Sequence, residues 1–219
     1  MDWHDWHRVY DDPDSVLARR LRTVRARIAD VLDAAPPGEI RAVSVCAGQG
    51  HDLLGVLAGH PRRMDVRARL VELDPRNAAV AREAAAGLGL GGRVDVVTGD
   101  AALVRNYGDV APAALVLVCG VLGNVADAGM EEAVDRVSRL CAPGGTLVWT
   151  RNRKDPDRVP RVCAWLEARG FTRDSLSTPD VRQAVAAHRR TGPPVPLPPP
   201  DSRMFTFVGY DVLAERESR

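Results

Sequence analysis

Val43-Ser44-Val45-Cys46-Ala47-Gly48-Gln49-Gly50 decides the fold. An apolar strand runs straight into a glycine-rich turn, and His51-Asp52-Leu53-Leu54 opens a helix behind it. Glycine leaves room for a ligand to approach the backbone, where a side chain would block it. Alone, the turn also fits a plain strand–helix connection, or a phosphate cradle at a helix N-terminus. A Walker loop is excluded, because no Gly-Lys-Ser/Thr follows. Two acidic strand ends give the turn weight. Val71-Glu72-Leu73-Asp74-Pro75 closes the next apolar stretch, and Val97-Thr98-Gly99-Asp100-Ala101 closes the one after.

Working outward, strands and helices alternate. Strands are expected over 41–46, 67–72, 93–98, 113–119, 146–150, 171–176 and 204–213. Helices are expected over 51–59, 76–88, 101–107, 127–140 and 158–169. Ahead of them, Leu17, Leu21, Val24, Ile28, Val31 and Leu32 recur at helical spacing from Pro13 onward. The run 113–119 is apolar throughout, as a strand buried on both faces must be. The pattern predicts an α/β fold. It is a doubly wound, seven-stranded, mostly parallel sheet with helices on both faces and an N-terminal helical lid. Residues 1–38 form the aromatic segment and the lid helix. Residues 39–219 form the sheet domain, with an insert at 178–203 that holds Pro193-Pro194 and Pro198-Pro199-Pro200. Right-handed crossovers bring the loops after the first strands to one sheet edge. The glycine turn, Glu72, Asp74, Asp100 and the 119–127 loop then share one crevice.

Composition removes several function classes. The 219 residues are 45% hydrophobic, which supports one sizeable domain and not two large ones. Lys and Arg total 30 against 29 acids, a formal charge of +1, so no global field recruits nucleic acid or an anionic membrane. The four cysteines form no C-x-x-C pair, so no zinc knuckle or disulfide framework is implied, and no metal site is expected. No stretch reaches transmembrane length, and the start is polar. A cytoplasmic protein is expected.

Each carboxylate has a specific use. Glu72 can accept both hydroxyl hydrogens of a ribose with two oxygens in a fixed fork. It would repel a neighbouring phosphate. Asp74 either shares this task or caps the helix that begins at Pro75. Asp100 can accept from an adenine amino group while the Ala101 N–H donates to the ring, or it can cap residues 101–107.

These residues carry a resemblance. The chain resembles the class I S-adenosylmethionine-dependent methyltransferases of Rossmann-like fold, over about residues 40–213. The family's acidic–x–Gly–x–Gly–x–Gly frame is occupied by Ser44-Val45-Cys46-Ala47-Gly48-Gln49-Gly50. Cys46 stands for the first glycine and Ser44 for the acid. Ser44 supplies no charge, and Asp52 is placed to compensate. The resemblance assigns ribose to Glu72 with Leu73 beside it, and adenine to Asp100 and Ala101. It places Cys119 and Gly120 at the methionine part, so Ser44, Cys46, Ala47, Gly48, Gly50 and Asp52 complete the cofactor set. Asn124 either binds a cofactor group or caps the next helix. Leu140-Cys141-Ala142-Pro143-Gly144-Gly145-Thr146 resembles the turn into the family's fifth strand. The implied cofactor is S-adenosylmethionine, and the implied partner is a small-molecule methyl acceptor. Oligomeric state is open.

The two ends supply the candidates for specificity. Trp3, Trp6 and Tyr10 form an aromatic group that can pack on a sulfonium and exclude water, or simply tack the segment to the core. Tyr10 joins His188 as a catalytic candidate. His188 precedes the proline-rich loop and can take a proton from an O or N nucleophile near neutral pH. His4 and His7 fit a polar chain end better. Arg19, Arg20, Arg22, Arg25 and Arg27 fit a solvated helix face better than an RNA-binding one, and Arg20 can reach a cofactor carboxylate. Three rivals stand beside methyl transfer. One is cyclisation or cleavage of S-adenosylmethionine itself. Another is an NAD-dependent oxidoreductase. The last is a non-enzymatic adenosyl-ligand-binding or scaffold protein.

Overall fold

The strand that ends in the glycine turn, β1 (Ile40–Val45), lies inside the sheet with its side chains divided between two cores. Ala42 faces one layer of helices, and Val43 and Val45 face the other. The computed structural model describes residues 12–208. The remaining strands are β2 (Val66–Glu72), β3 (Val94–Thr98), β4 (Ala113–Val118), β5 (Cys141–Asn152), β6 (Phe171–Leu176) and β7 (Gln183–Arg190). They form a seven-stranded sheet in the order β3-β2-β1-β4-β5-β7-β6. β1 to β5 are parallel, and β7 runs antiparallel between β5 and β6. Strand order reverses between β1 and β4. The loops leaving their carboxyl ends must diverge there, and a crevice opens.

Five α-helices cover the described sheet: α1 (Val16–Ala34), α2 (Leu53–Leu57), α3 (Pro75–Gly87), α4 (Asp127–Ser138) and α5 (Val159–Ala168). Met130, Val134, Val137, Val162 and Leu166 of α4 and α5 pack on one face. Val24, Ile28 and Leu32 of α1 pack on the other face with α2 and α3, against Val148 and Val185. Burying a large aliphatic side chain contributes roughly 1.5–3 kcal/mol. Ile28 and Leu32 are both fully buried. The helix expected as a lid is therefore a layer of the core. Its amino-terminal half lies at the crevice edge, where Arg25 donates to the His51 carbonyl at 2.9 and 2.6 Å. Arg22 is turned back onto the Pro13 carbonyl at 2.7 Å, and Arg27 pairs with Asp30 at 3.1 Å.

The late chain differs from the sequence expectation. Among the described residues the last strand is Gln183–Arg190, within the stretch read as an insert. Ala184, Val185, Ala186 and Ala187 are small and apolar, and hide between β5 and β6. A run of alanines carries helix propensity, which masked the strand. Residues 204–208 are not a strand in the sheet. Phe207 makes an isolated bridge with Val125 instead, and Arg203, just before them, makes one with Leu103. The pairing of β7 with β5 ends where Arg189 faces Thr146, midway along β5. The proline-rich segment then carries the chain back to the crevice edge. There Met204 N donates to the Ala102 carbonyl at 2.7 Å and Val208 N to the Asn124 carbonyl at 2.8 Å.

Candidate functional site

The glycine turn is held by the strand beside it. Ala47 N donates to the Val71 carbonyl at 3.0 Å, and Gly50 N to the Ala47 carbonyl at 2.9 Å. Gly48 and Gly50 have φ of 56° and 74°, conformations that side chains disfavour. A Cβ on Gly50 would lie 2.8 Å from Leu54 and 3.2 Å from Leu70, so this glycine lets α2 close onto the sheet. Cys46 departs most from expectation, with φ at 53° in the left-handed region. A residue other than glycine is uncommon there. Cys46 therefore holds a backbone shape that favours glycine.

Glu72 is 9% exposed at the end of β2. Its Oε2 accepts the Gly48 N–H at 2.8 Å, and its Oε1 accepts the Asp74 N–H at 2.9 Å. A carboxylate has about four acceptor positions, so two backbone donors fix its plane and leave capacity for further donors. Leu73, next to it, is 68% exposed at the rim. Asp74 caps α3, accepting Arg76 N at 2.9 Å ahead of Pro75.

Asp100 Oδ1 accepts the Ala102 N–H at 2.9 Å. Ala101 is buried beside it, and its carbonyl accepts the Tyr107 hydroxyl at 2.5 Å. Burial pushes the Cys46 thiol up, and the charges of Glu72 and Asp100 push it further. Three loops thus meet at Cys46, which is a neutral thiol.

A second group lies toward β4. Asp52 caps α2, accepting Leu53 N at 2.7 Å. Burial raises its carboxyl above the usual range, against the pull of its backbone hydrogen bonds, Arg20 and Arg25. Burial likewise raises the Cys119 thiol, with Asp52 adding to the rise and Arg20 opposing it. Asp52, Arg20 and Cys119 therefore share one neighbourhood. Ser44 is buried within β1 and does not stand at the surface. After β4, Gly120 has φ of 76°, and its N–H donates to Thr150 Oγ1 at 2.9 Å. Asn124 Nδ2 donates to the Gly120 carbonyl at 2.7 Å and makes no cap for α4.

His188 requires a correction. It was expected at the crevice rim, in an insert. It lies in β7 with 0% exposure, opposite Leu147 in the middle of β5. Trp149 Nε1 donates to its Nδ1 at 3.1 Å. Burial, helped by Arg173, lowers its pKa to about 4 despite Asp174. A ring enclosed at mid-sheet, level with Val43, Val116 and Leu147, has no exposed surface to offer an acceptor. Tyr10, Trp3, Trp6, His4 and His7 lie outside the described residues.

Two contributors escaped the sequence reading. Thr150 fixes the loop after β4. Arg203 pairs with Asp100 Oδ2 at 2.7 Å from the far end of the chain. No local sequence signal links positions 100 and 203.

Several solved methyltransferases have this architecture. The chain has a TM-score of 0.64 and 15% identity to magnesium protoporphyrin IX methyltransferase from Synechocystis PCC 6803 with bound S-adenosylmethionine, covering 84% of this chain and 89% of that one. Against 1,6-didemethyltoxoflavin-N1-methyltransferase from Burkholderia thailandensis the TM-score is 0.62 and identity 19%, covering 87% and 84%. An O-methyltransferase family protein from Burkholderia thailandensis gives 0.59 and 19%, covering 87% of this chain and 64% of that one. The chain shares their fold. It spans less than two thirds of the length of the O-methyltransferase family protein. By sequence, no protein family and no curated protein matches the chain. Among the described residues, no helix is long and apolar enough to cross a membrane.

Proposed function

We propose that the protein is an S-adenosylmethionine-dependent methyltransferase that acts on a small-molecule acceptor. The observation that carries this reading is Glu72. Its carboxylate is fixed by Gly48 and Asp74 N–H groups directly under the glycine turn, with acceptor capacity to spare. Two ribose hydroxyls fit that acceptor. The residues fit the cofactor in parts. Glu72 would hold the ribose and Leu73 would pack on the base. Asp100 and Ala101 would read the adenine edge. Gly48 and Gly120 leave the backbone accessible. Ser44, Cys46 and Ala47 shape the turn. Asp52, with Arg20, would face the amino-acid end near Cys119 and take over the charge that Ser44 lacks.

When bound, this cofactor supplies a methyl group on a sulfonium, activated for transfer to a nucleophile. The chain's part is positioning of donor and acceptor. No cysteine thiolate is required. Both crevice thiols are held protonated by burial and neighbouring carboxylates. Tyr10, with Trp3 and Trp6, would close the crevice over the acceptor and exclude water. The acceptor, the expected cytoplasmic setting and the expected lack of a metal remain part of the proposal.

The test is incubation with S-adenosylmethionine carrying an isotopically labelled methyl group, with and without a small-molecule extract. Mass spectrometry should find the label in a new extract-dependent product, with S-adenosylhomocysteine released. Cofactor-derived products formed without any acceptor would favour cyclisation or cleavage instead.

A further inference from the structure

Asp100 is joined to a distant part of the chain. Arg203 reaches its Oδ2 at 2.7 Å, while Ala102 N–H occupies Oδ1 at 2.9 Å. The arginine does not reach across from a free tail. Ser202 O accepts Val104 N at 3.2 Å, Met204 N donates to Ala102 O at 2.7 Å, and Arg105 pairs with Asp201 at 2.6 Å. Arg136 of α4 donates to the Arg203 carbonyl. Farther along, Val208 N donates to Asn124 O at 2.8 Å. Residues 203–208 thus run as a strap from the loop after β3 to the loop after β4. In the sheet order those loops bracket the ends of β2 and β1, the width of the crevice.

We infer that Arg203 is a positioning residue for purine recognition, acting through Asp100, and that the strap walls this side of the crevice. This inference rests on the cofactor reading above. The chemistry is specific. A carboxylate that reads an amino group must keep one oxygen lone pair turned toward it. With Ala102 alone as partner, the Asp100 carboxylate could rotate about its terminal bond, since its side chain is 34% exposed. A second donor on the other oxygen fixes the plane. Each oxygen still has acceptor capacity for a further hydrogen. Arg203 also offsets negative charge where Glu72 and Asp100 flank Cys46. An amino group at purine position 6 would then meet an oriented acceptor. A 6-oxo group would meet the same carboxylate and be repelled.

The test compares S-adenosylhomocysteine with S-inosylhomocysteine by calorimetry, on the full chain and on Arg203→Met and Arg203→Lys. The wild type should prefer the adenosyl ligand. Arg203→Met should lose roughly two- to fivefold of that preference, the range of a partly exposed ion pair. Arg203→Lys should restore part of it, because a cation again faces Oδ2. An unchanged ratio in a folded Arg203→Met protein, or an equal loss for both ligands, would overturn the inference and leave the cofactor reading standing. Should Arg203→Met not fold, the lysine variant decides. It must keep more discrimination than Asp100→Ala. Absence of binding by the wild type to either ligand would remove both the reading and the inference.

Discussion

Glu72 Oε2 accepts the Gly48 N–H at 2.8 Å, which ties the end of β2 to the turn that follows β1. One contact thereby links the carboxylate of Glu72 and the backbone of the glycine turn. Replacing Glu72 with Ala should lower affinity for S-adenosylhomocysteine at least about tenfold, since hydrogen bonds to a charged group contribute roughly 1.5–3 kcal/mol each. Glu72→Gln keeps the shape and should fall between. Calorimetry on folded variants, checked by circular dichroism, reads the effect. Unchanged affinity in Glu72→Ala would remove the ribose role.

Cys46 at φ 53° predicts an unequal response to two substitutions. A left-handed conformation disfavours L-residues by roughly 1–2 kcal/mol, and more for branched side chains. Cys46→Gly relieves that strain, so it should leave stability within about 1 kcal/mol, as glycine's extra unfolded-state entropy offsets the gain. Cys46→Val should destabilise clearly. Urea denaturation measures both. A valine variant as stable as wild type would contradict the assigned backbone.

His188 makes an acid-stability prediction. Its folded pKa is lowered from 6.5 to about 4. Between these values the unfolded chain binds a proton that the folded chain does not. Stability should therefore rise with pH across that window and fall as pH drops toward 4. The upper bound is roughly 3 kcal/mol for this shift. His188→Asn can still accept from Trp149 and does not titrate, so it should flatten this slope. The turnover profile above pH 7 should be the same in both proteins. Loss of a neutral-pH activity limb in His188→Asn would restore the histidine to the mechanism.

The proposed role of the N-terminal segment predicts a split between stability and turnover. α1 is anchored by Val24, Ile28 and Leu32 and begins at the crevice edge. Deleting residues 1–11 should leave the thermal transition nearly in place and the affinity for S-adenosylhomocysteine within about threefold, on the scale of surface changes. Under the proposed closing role of Trp3, Trp6 and Tyr10, turnover should fall much further. Tyr10→Phe separates the hydroxyl from the ring. Full turnover by the truncated chain would show the segment to be an appendage.

The fold was legible where residue pattern and local geometry agree. Apolar runs ending in Gly48, Glu72 and Asp100 marked β1 to β3, and Asp74-Pro75 marked the start of α3. Ala184–Ala187 was not legible, because the small residues of a strand squeezed between two others look helical. His188 was misplaced with it. A polar residue beside arginines reads as surface, while Trp149, its partner, is far away in sequence. Arg203 was hidden for the same reason: an ion pair between residues 103 positions apart leaves no spacing to read. Within the site, Cys46 and Ser44 read as departures from a family frame. Cys46 takes a left-handed backbone that favours glycine, which no reading of the sequence alone could reveal.

The most direct test is a calorimetric titration of the wild-type chain with S-adenosylhomocysteine, NAD and ATP in parallel. The Gly48–Glu72 geometry predicts saturable binding of S-adenosylhomocysteine at least about tenfold tighter than either phosphate-bearing ligand, the scale of one charged hydrogen bond gained or opposed. NAD or ATP binding as tight as S-adenosylhomocysteine, or no binding of S-adenosylhomocysteine at all, would contradict the account.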